Sequence, residues 1–357
     1  MIQAAEHWPQ ITAPPVLFMQ RENAVYRVET TQGPHALRLH RPGYHAASTL
    51  RSELDLMAML AGQGMQVPHP ARTVRGGYLA TMGGRYASLL TWLPGQPMGR
   101  SGQPLQQQGP ARPALFHAIG AQMGRMHRLC DAWTPPRGFQ RPVWDVDGLL
   151  GETPFWGRFW DCGTPGERTL LAAFRKNAAE MLRSEILDFG LIHADLVNEN
   201  VLVDGANVHF IDFDDSGFGF RLFDLATTLY KTIDEADYPA LQAALLQGYA
   251  TQRALPYLRL LPLFITLRAL TYLGWIAARI TEPGMAAKAA TYTALALRLI
   301  GKLQPRGRGT NCSPASVSRK AISAFSKSSS SSSASSISLS QSASPRSSTA
   351  AVSALSS

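Results

Sequence analysis

The amino-acid sequence predicts an α+β fold, in which a small antiparallel sheet region precedes a larger, mainly helical region. Three observations support this prediction. Apolar residues alternate with period two in the first 92 residues, and they recur every three or four positions in most of the remainder. Two short apolar runs flank the turn Asp204-Gly205-Ala206-Asn207, a pattern typical of a β-hairpin.

The first 92 residues contain four predicted strands and one predicted helix. The strands are expected at residues 24–30, 36–40, 78–81 and 86–92. Ser48 is the expected N-cap of the helix, and Gly62 is its expected end. The apolar face of this helix consists of Leu50, Leu54, Met57 and Leu60.

Beyond residue 93, five helical segments are expected, at 114–129, 169–184, 224–232, 239–251 and 258–280. The last segment is the most apolar of them. Because Arg259, Pro262 and Arg268 interrupt it, a buried helical region is expected there rather than a membrane span.

The composition narrows the class of protein. An apolar fraction of 45% with 17% charged residues is typical of a globular chain. Cys130, Cys162 and Cys312 lie far apart, which argues against a disulfide framework and a zinc site. The N-terminus lacks the apolar core of a signal peptide. A cytoplasmic protein with no membrane partner is therefore expected.

Residues 305–357 form a third segment, about half serine over its last part, which predicts a disordered tail. This segment contains six basic residues and no acidic ones, so it accounts for six of the nine excess positive charges. The remaining +3 on residues 1–304 does not indicate a nucleic-acid partner. The oligomeric state is not indicated by the sequence.

The stretch from Leu191 to Gly219 holds six carboxylates and two histidines beside the two apolar runs of the hairpin. Buried-strand carboxylates usually persist where a cation or a reaction uses them. His193-x-Asp195, Asn200 and Asp212 have the spacing of a phosphoryl-transfer site, where one aspartate accepts a hydroxyl proton and Asn and Asp oxygens bind Mg²⁺.

The motifs "HADLVNEN" and "IDFDD" resemble those of the aminoglycoside phosphotransferase superfamily, which includes choline kinases, type II homoserine kinases and bacterial stress response kinases. The resemblance covers roughly residues 15 to 300 and is most specific between 191 and 230. It implies a two-lobed, protein-kinase-like fold. Residues 1–92 would form the ATP-binding lobe, and residues 93–304 would form the catalytic and substrate lobe.

Carried over residue by residue, the resemblance implies a kinase that uses ATP and Mg²⁺. Asp195 would be the catalytic base, and Asn200 and Asp212 would bind Mg²⁺. His193 would position the loop, and Asp224 would brace the loop backbone. The acceptor would be a small-molecule hydroxyl, on an amino alcohol, a hydroxy amino acid or an aminoglycoside-like molecule, or alternatively a protein serine.

The N-terminal region supplies an independent check on this interpretation. Arg38 on a strand and Glu53 on the following helix match the cation and glutamate of a kinase lobe, and an arginine fork can span two phosphate oxygens. No G-x-G-x-x-G loop is present. The stretch "QRENAVYRV" instead resembles the family's shorter hairpin, with Glu22 and Asn23 at its turn.

The stretch "LLTWLPGQP" resembles the hinge that binds adenine in this family. The resemblance places the carbonyl of Thr91 and the amide of Leu93 at the adenine edge. Leu202 and Ile211 would lie beneath the adenine ring, although ordinary core packing is an equally good interpretation of apolar residues at these positions.

Three alternatives stay open at this stage. An aspartyl phosphatase would use Asp212 as a nucleophile and Asp214 as an acid. An iron site would combine His193, Asp195 and His209. A catalytically silent kinase fold would serve only for binding, although it has no need for the complete residue set.

Acceptor recognition is expected in the larger lobe. Asp214 and Asp215 are candidates for contact with a substrate amino group. Aromatic candidates, which could also be ordinary core residues, are Trp144, Trp156, Trp160, Tyr272 and Trp275.

Overall fold

A computed structural model describes residues 2–20, 23–100, 105, 107 and 109–303 of the chain. Glu22, Cys312 and the predicted Ser-rich tail lie outside the described residues. The strands and helices are, in chain order, α1 (Ile2–His7), β1 (Val16–Gln20), β2 (Ala24–Thr30), β3 (Gly33–Leu39), α2 (Ala47–Gly62), β4 (Ala80–Met82), β5 (Arg85–Thr91), β6 (Gln96–Pro97), α3 (Ala111–Ala132), β7 (Val143–Trp144), α4 (Val146–Leu150), α5 (Pro165–Arg183), β8 (Phe189–Ile192), β9 (Val201–Asp204), β10 (Asn207–Phe210), β11 (Gly217–Phe220), α6 (Arg221–Tyr230), α7 (Tyr238–Ala250), α8 (Leu261–Ala277) and α9 (Met285–Leu303).

The N-terminal strands form one antiparallel sheet in the order β1-β2-β3-β5-β4. Its inner face buries Val28, Leu37 and Leu89 against Trp8, which lies just after α1. Trp8 is fully buried, and its ring nitrogen donates to the carbonyl of Ala71 at 3.1 Å. The sequence analysis did not predict α1, whose role is to close this small core.

Helix α2 follows the sheet and differs from the prediction at its start. The predicted N-cap Ser48 is wrong, because the helix begins at Ala47 and the capping position is occupied by Ala46 without a side-chain hydrogen bond. Ser48 lies in the first turn, where its carbonyl accepts from the hydroxyl of Ser52 at 2.8 Å. The predicted end at Gly62 is confirmed.

The predicted hairpin is confirmed as the antiparallel pair β9 and β10, with Val201 opposite Phe210 and Asp204 opposite Asn207. Gly205 begins the two-residue turn with a φ of 59°, a conformation that glycine adopts without strain. The short strand β6 pairs with β9 on its other side. The open end of the hairpin, where the amide of Ile211 donates to the carbonyl of Asn200 at 3.0 Å, lies next to the segments that carry Asp195 and Asp212.

The helical region is built on two central contacts. Helices α3 and α7 cross closely at Gly120 and Gly248, where an added Cβ atom would collide with the backbone of the other helix. Helix α6 is buried along its whole length and packs against α8. Residues 258–277 have the length and hydropathy of a membrane span, but 78% of that segment is buried inside the fold, as in a core helix.

Residues Met1–Leu303 form one compact unit. The division of this unit into lobes at residues 92 and 93 stays a prediction.

Candidate active site

The loop that follows β8 has a strained backbone that one buried carboxylate holds in place. Ala194 has a left-handed backbone, with a φ of 67°, which is unfavourable for a residue with a side chain. Asp224, on the first turn of α6, accepts hydrogen bonds from the amides of His193 and Ala194 at 2.8 and 2.7 Å. Asp224 is therefore bonded to the backbone of this loop, the contact that a bracing role would require.

A third hydrogen bond connects Asp224 to the α3–α7 pair. The Nε2 atom of His127 lies 3.0 Å from Asp224 Oδ2, and Nδ1 of the same ring lies 2.8 Å from the hydroxyl of Tyr249. Burial lowers the pKa of His127 to about 4 and raises the pKa of Tyr249 to about 12. The neutral histidine thus donates to Asp224 and accepts the tyrosine proton. The sequence analysis did not identify His127 or Tyr249.

His193 links the loop to the second acidic segment. Its side chain is fully buried, and Nε2 lies 3.0 Å from the carbonyl oxygen of Ile211, immediately before Asp212. The amide of Asp195 approaches its other ring nitrogen at 3.4 Å. Burial lowers the pKa of His193, so the neutral ring donates to Ile211. These contacts suit a positioning role rather than proton transfer.

The carboxylate of Asp195 is held through both oxygens. Oδ1 accepts from Nη2 of Arg268 at 2.6 Å, and Oδ2 accepts from the amide nitrogen of Asn200 at 3.1 Å. The same Asn200 nitrogen donates to the Asp195 carbonyl at 2.9 Å. Because this nitrogen is turned toward Asp195, the amide oxygen of Asn200 is turned away and is the atom left to bind a cation.

Asp212 occupies the end of the hairpin in a second strained conformation, with a φ of 64°. Partial desolvation and the neighbouring Asp214 carboxylate raise the pKa of Asp212, whose side chain stays 52% exposed and so open to a ligand. Burial, together with Asp195, Asp214 and Asp212, raises the pKa of Asp215 well above its ordinary value. The ionised forms of these two carboxyl groups are therefore unfavourable unless a cation lies beside them.

Two buried side chains that were not predicted for this role hold the acidic turn after Asp212. Arg141 donates to the carbonyls of Phe213, Asp214 and Ser216, and it also reaches the carbonyl of Thr49 on α2 at 3.0 Å. The ring nitrogen of Trp144 donates to the carbonyl of Asp215 at 2.8 Å. Trp144, a sequence candidate for acceptor binding, is instead a buried residue of the fold.

The predicted pair from the N-terminal sheet is formed. Arg38 and Glu53 are both buried, and Nη2 of Arg38 donates to Glu53 Oε1 at 2.5 Å. Nη1 of Arg38 lies 4.0 Å from Asp212 Oδ1. The structure thus brings the guanidinium from β3 next to the acidic end of the hairpin.

The donor set fits a hard divalent cation. The Asn200 amide oxygen and the Asp212 carboxylate are oxygen ligands of the kind that Mg²⁺ prefers. Oδ1 of Asp214 is buried nearby without a hydrogen-bond donor among the described residues. A cation would also relieve the repulsion among the carboxylates. Within the described ranges no group of three His, Cys, Asp or Glu residues is arranged for a metal, so substrate oxygens and water would complete the coordination.

The other residues predicted to contact the nucleotide have the following places in the fold. The side-chain oxygen of Asn23 accepts from the amide of Arg41 at 2.9 Å and so fixes the start of β2 to the end of β3. Thr91 ends β5, and Leu93 follows it in the connection to β6. Leu202 is buried on β9, and Ile211 is half-buried beside Asn200.

The aromatic residues that the sequence suggested for acceptor binding lie beside cations of the chain itself. The charged groups of Lys231 and Arg268 are 4.3 and 5.4 Å from the ring centroid of Tyr272. Arg279 lies 4.3 Å from the ring of Trp275. Trp156 contacts Arg268 in the same way, and Trp160 is buried against Arg175.

Two of the alternatives from the sequence do not match this geometry. The aspartyl phosphatase fold needs a parallel sheet at the motif, whereas β10 pairs antiparallel with β9 and mainly helices follow. For an iron site, His193, Asp195 and His209 would have to converge. His193 is instead bonded to a backbone carbonyl, and the three residues are not gathered into a metal-binding group in the described part of the chain.

Comparisons with known proteins agree with the geometry. The family model described as the phosphotransferase enzyme family, APH, matches residues 19–261. A homoserine kinase from Acidiphilium cryptum is 31% identical over 242 residues, which cover 66% of this chain and 70% of that protein. A Deinococcus radiodurans protein described as uncharacterized is 28% identical over 291 residues, covering 77% of this chain and 80% of its own length.

Solved structures give the same fold. A microcompartment-associated aminopropanol kinase superposes with a TM-score of 0.70 and 29% identity, covering 84% of this chain and 97% of that one. The amicoumacin kinase hAmiN, solved with AMP-PNP, Ca²⁺ and Ami, superposes with a TM-score of 0.68 and 20% identity over 85% and 92% of the two chains. The predicted kinase-like α+β fold is confirmed. Because the family model covers more than half of its length, the chain belongs to the phosphotransferase enzyme family and is a kinase with a hydroxyl acceptor.

Proposed function

We propose that this kinase transfers the γ-phosphoryl group of ATP, with Mg²⁺, to the hydroxyl group of a small amine-bearing molecule in the cytoplasm. The observation that carries the proposal is the convergence of Asp195, Asn200 and Asp212 with the buried Arg38–Glu53 pair. These residues come from separate strands, loops and a helix. A core without catalytic function has no need to gather them.

On the nucleotide side, Arg38 would bind phosphate oxygens, because its guanidinium is oriented by Glu53 and points toward the acidic loops. Asn200 and Asp212 would hold Mg²⁺, which neutralises phosphate charge when it is bound. Thr91 and Leu93 would bind the adenine edge through their backbone atoms. Leu202 and Ile211 would pack against the adenine ring.

Asp195 would accept the proton of the acceptor hydroxyl. Its carboxylate is fixed by Arg268 and Asn200, and its side chain is 22% exposed, so a small molecule can reach it. Holding the base and the hydroxyl in one geometry lowers the entropic barrier of the transfer. His193 and Asp224 would act indirectly, by fixing the loop that presents Asp195.

Two features support an acceptor that carries an amine. The carboxylate of Asp215 is repelled by the carboxylates of Asp195, Asp214 and Asp212, and a substrate ammonium would relieve this repulsion. The similar proteins include a homoserine kinase and an aminopropanol kinase, which are named for two hydroxyl acceptors that both carry an amine.

A further feature favours an acceptor that carries a carboxylate as well. The ammonium of Lys231 lies over the rings of Tyr272 and Tyr230 and is 3.1 Å from the Tyr292 hydroxyl. A ring face occupied by the chain's own cation is closed to a substrate amine and presents positive charge instead. Tyr272 would then contribute to the acceptor site by holding Lys231, and Trp275 would lie at its margin.

The test uses two acceptors that differ only in this carboxylate. Homoserine and 3-amino-1-propanol have the same spacing between hydroxyl and amine. We expect purified full-length protein to consume ATP when either acceptor is present, with homoserine preferred, and to form a phosphate ester visible by ³¹P NMR. Asp195→Asn should lower turnover roughly 10²-fold or more, with little change in MgATP affinity.

Two results would contradict the main proposal, and a third would contradict only its carboxylate part. Absence of acceptor-dependent ATP consumption across a panel of amino alcohols, hydroxy amino acids and aminoglycosides would exclude a small-molecule acceptor. Full turnover by Asp195→Asn would exclude Asp195 as the base. If 3-amino-1-propanol were preferred and Lys231→Met left that preference unchanged, the carboxylate part alone would be wrong.

A further inference from the structure

The loop that carries Asp195 has its positively charged side-chain partner on a distant element of the fold. No lysine or arginine occurs between His193 and Asn200. The charge partner of Asp195 is Arg268 on α8, 73 residues away, whose Nη2 donates to Oδ1 at 2.6 Å. The Arg268 side chain is 1% exposed, whereas that of Asp195 is 22% exposed. The contact therefore joins a buried cation to a carboxylate at the surface of the site.

Aromatic rings surround the guanidinium of Arg268. Its central carbon lies 5.1 Å from the ring centroid of Trp156, 5.4 Å from that of Tyr272 and 5.9 Å from that of Phe223. A planar guanidinium stacks on such rings, whereas the compact ammonium of a lysine does not. The rings thus leave the buried guanidinium little room to move and limit the directions in which it can donate to Asp195.

This arrangement is costly for the stability of the fold. Nε and Nη1 of Arg268 are buried and have no hydrogen-bond partner among the described residues. Contacts with ring faces offset only part of the lost hydration of a buried cation. Apolar side chains of similar size are often as stable or more stable at such positions. A buried arginine with a single hydrogen bond is therefore better explained by what it does to Asp195 than by stability.

We propose that Arg268 is a positioning residue for Asp195. With Arg268 on Oδ1 and Asn200 on Oδ2, rotation of the carboxylate about its χ2 angle is blocked from two sides. The base then presents a fixed lone pair to the acceptor hydroxyl. This inference rests on the proposed function, because it takes Asp195 as the general base. It adds α8 to the elements that control the transfer step.

The experiment compares the full-length wild type with Arg268→Met, Arg268→Lys, Asp195→Asn and the double variant Asp195→Asn/Arg268→Met. Arg259→Met is the matched control, because Arg259 lies just before α8 and pairs with Glu185 at 2.5 Å in a partly exposed ion pair. For each protein, kcat and KM for acceptor and ATP, MgATP affinity by calorimetry and Tm are measured.

We expect Arg268→Met to lower kcat at least about 10-fold, the scale of a misplaced reacting group. MgATP affinity and Tm should stay close to the wild-type values. The double variant should be no slower than Asp195→Asn alone, because Arg268 acts through that carboxylate. Arg268→Lys should recover part of kcat, because it keeps the charge but loses the planar, fork-shaped donor group. Arg259→Met should match the wild type.

The inference is wrong if Arg268→Met keeps full kcat, or if its effect multiplies with that of Asp195→Asn. It is also wrong if weaker MgATP binding accounts for the loss of activity. If Arg268→Met does not fold, the kcat of Arg268→Lys tests the inference instead. A wild-type kcat in Arg268→Lys would exclude a role for the planar guanidinium group. A wild type without acceptor-dependent turnover would contradict the proposed function itself, which separates the two failures.

Discussion

Left-handed backbone conformations mark both halves of the candidate active site. Among the described residues, Ala194, Asp212 and Tyr257 are the non-glycine residues with a positive φ, and two of the three lie in the acidic loops. Each such residue costs on the order of 1 kcal/mol or more and persists only when its surroundings over-determine it. The amides around Ala194 are held by Asp224, and the turn after Asp212 is held by Arg141.

Substitution of Asp212 is predicted to affect metal-dependent nucleotide binding. Asp212→Ala should abolish the Mg²⁺-dependent part of nucleotide binding, because it removes a carboxylate ligand and leaves Asn200 alone. Calorimetric titration with ATP, with and without Mg²⁺, measures this directly. Asp234→Ala, which removes an exposed partner of Arg298, is the control. Undiminished MgATP affinity in Asp212→Ala would show that Asp212 does not bind the metal.

At the level of secondary-structure elements, helices α3, α6 and α7 jointly hold the loop that contains Ala194. His127 on α3 is bonded both to Tyr249 on α7 and to Asp224 on α6, and Asp224 in turn holds the backbone of the loop at Ala194. All three side chains are fully buried. The loop conformation therefore depends on helix packing, and no single element could specify it.

The buried histidine predicts how stability depends on pH. Burial lowers the pKa of His127 to about 4 in the folded protein, against about 6.5 in the unfolded chain. Between these values the unfolded chain binds a proton that the folded protein does not. The contribution of neutral His127 to the free energy of unfolding is therefore complete above pH 6.5, and it is lost as the pH falls toward 4.

His127→Gln removes this titration. Relative to pH 7.5, we expect the wild type to lose about 2 kcal/mol more unfolding free energy than His127→Gln does at pH 5. Urea denaturation at both pH values measures the difference. Equal losses in the two proteins would indicate that His127 is protonated in the folded state.

Elements with a strong local pattern were predictable from the sequence. Strand β2 matches its predicted bounds, and the helical segments at α3, α5, α6, α7 and α8 are confirmed within a few residues at most ends. The unpredicted elements have weaker signals. Strands β6 and β7 have two residues each, and α9 is rich in alanine, which forms helices without marking a buried face.

The residues of the candidate site also divide into those that a local motif predicts and those that it does not. Asp195, Asn200, Asp212, Arg38 and Glu53 lie in motifs with fixed spacing, so they could be proposed from the sequence. Arg141, His127 and Arg268 act through contacts that span 72 to 97 residues. An isolated arginine or histidine carries no sequence signal of such a contact. In the sequence analysis, Arg268 served only as evidence that this apolar segment is not a membrane span.

At the scale of the whole molecule, the two glycines of the α3–α7 crossing set the geometry of the helical region. A Cβ atom on Gly248 would collide with the carbonyl oxygen of His117, and one on Gly120 would collide with that of Leu245. The close approach brings His127 within hydrogen-bond distance of Tyr249. Small residues at this crossing therefore support the active-site loop from a distance.

Gly248→Ala should force these helices apart and destabilise the protein by about 1–3 kcal/mol, the usual scale of overpacking. Gly301→Ala is the control, because a Cβ atom there meets no neighbour and alanine favours a helix. Thermal unfolding should show a lower Tm for Gly248→Ala and an equal or higher Tm for Gly301→Ala. A Gly248→Ala protein as stable as the wild type would mean that the crossing relaxes easily.

The bonds that hold Asp224 and Asp195 also determine when the site can form during folding. His127, Ala194, Asp224 and Arg268 lie 30 to 97 residues from their partners along the chain. Contacts at such separations form only after long loops have closed, which makes them slow relative to helices and hairpins. The hairpin β9–β10 and helix α3 can therefore form early, whereas the arrangement around Asp195 must be among the last parts of the protein to appear. A partly folded chain could thus have most of its secondary structure and still have no catalytic centre.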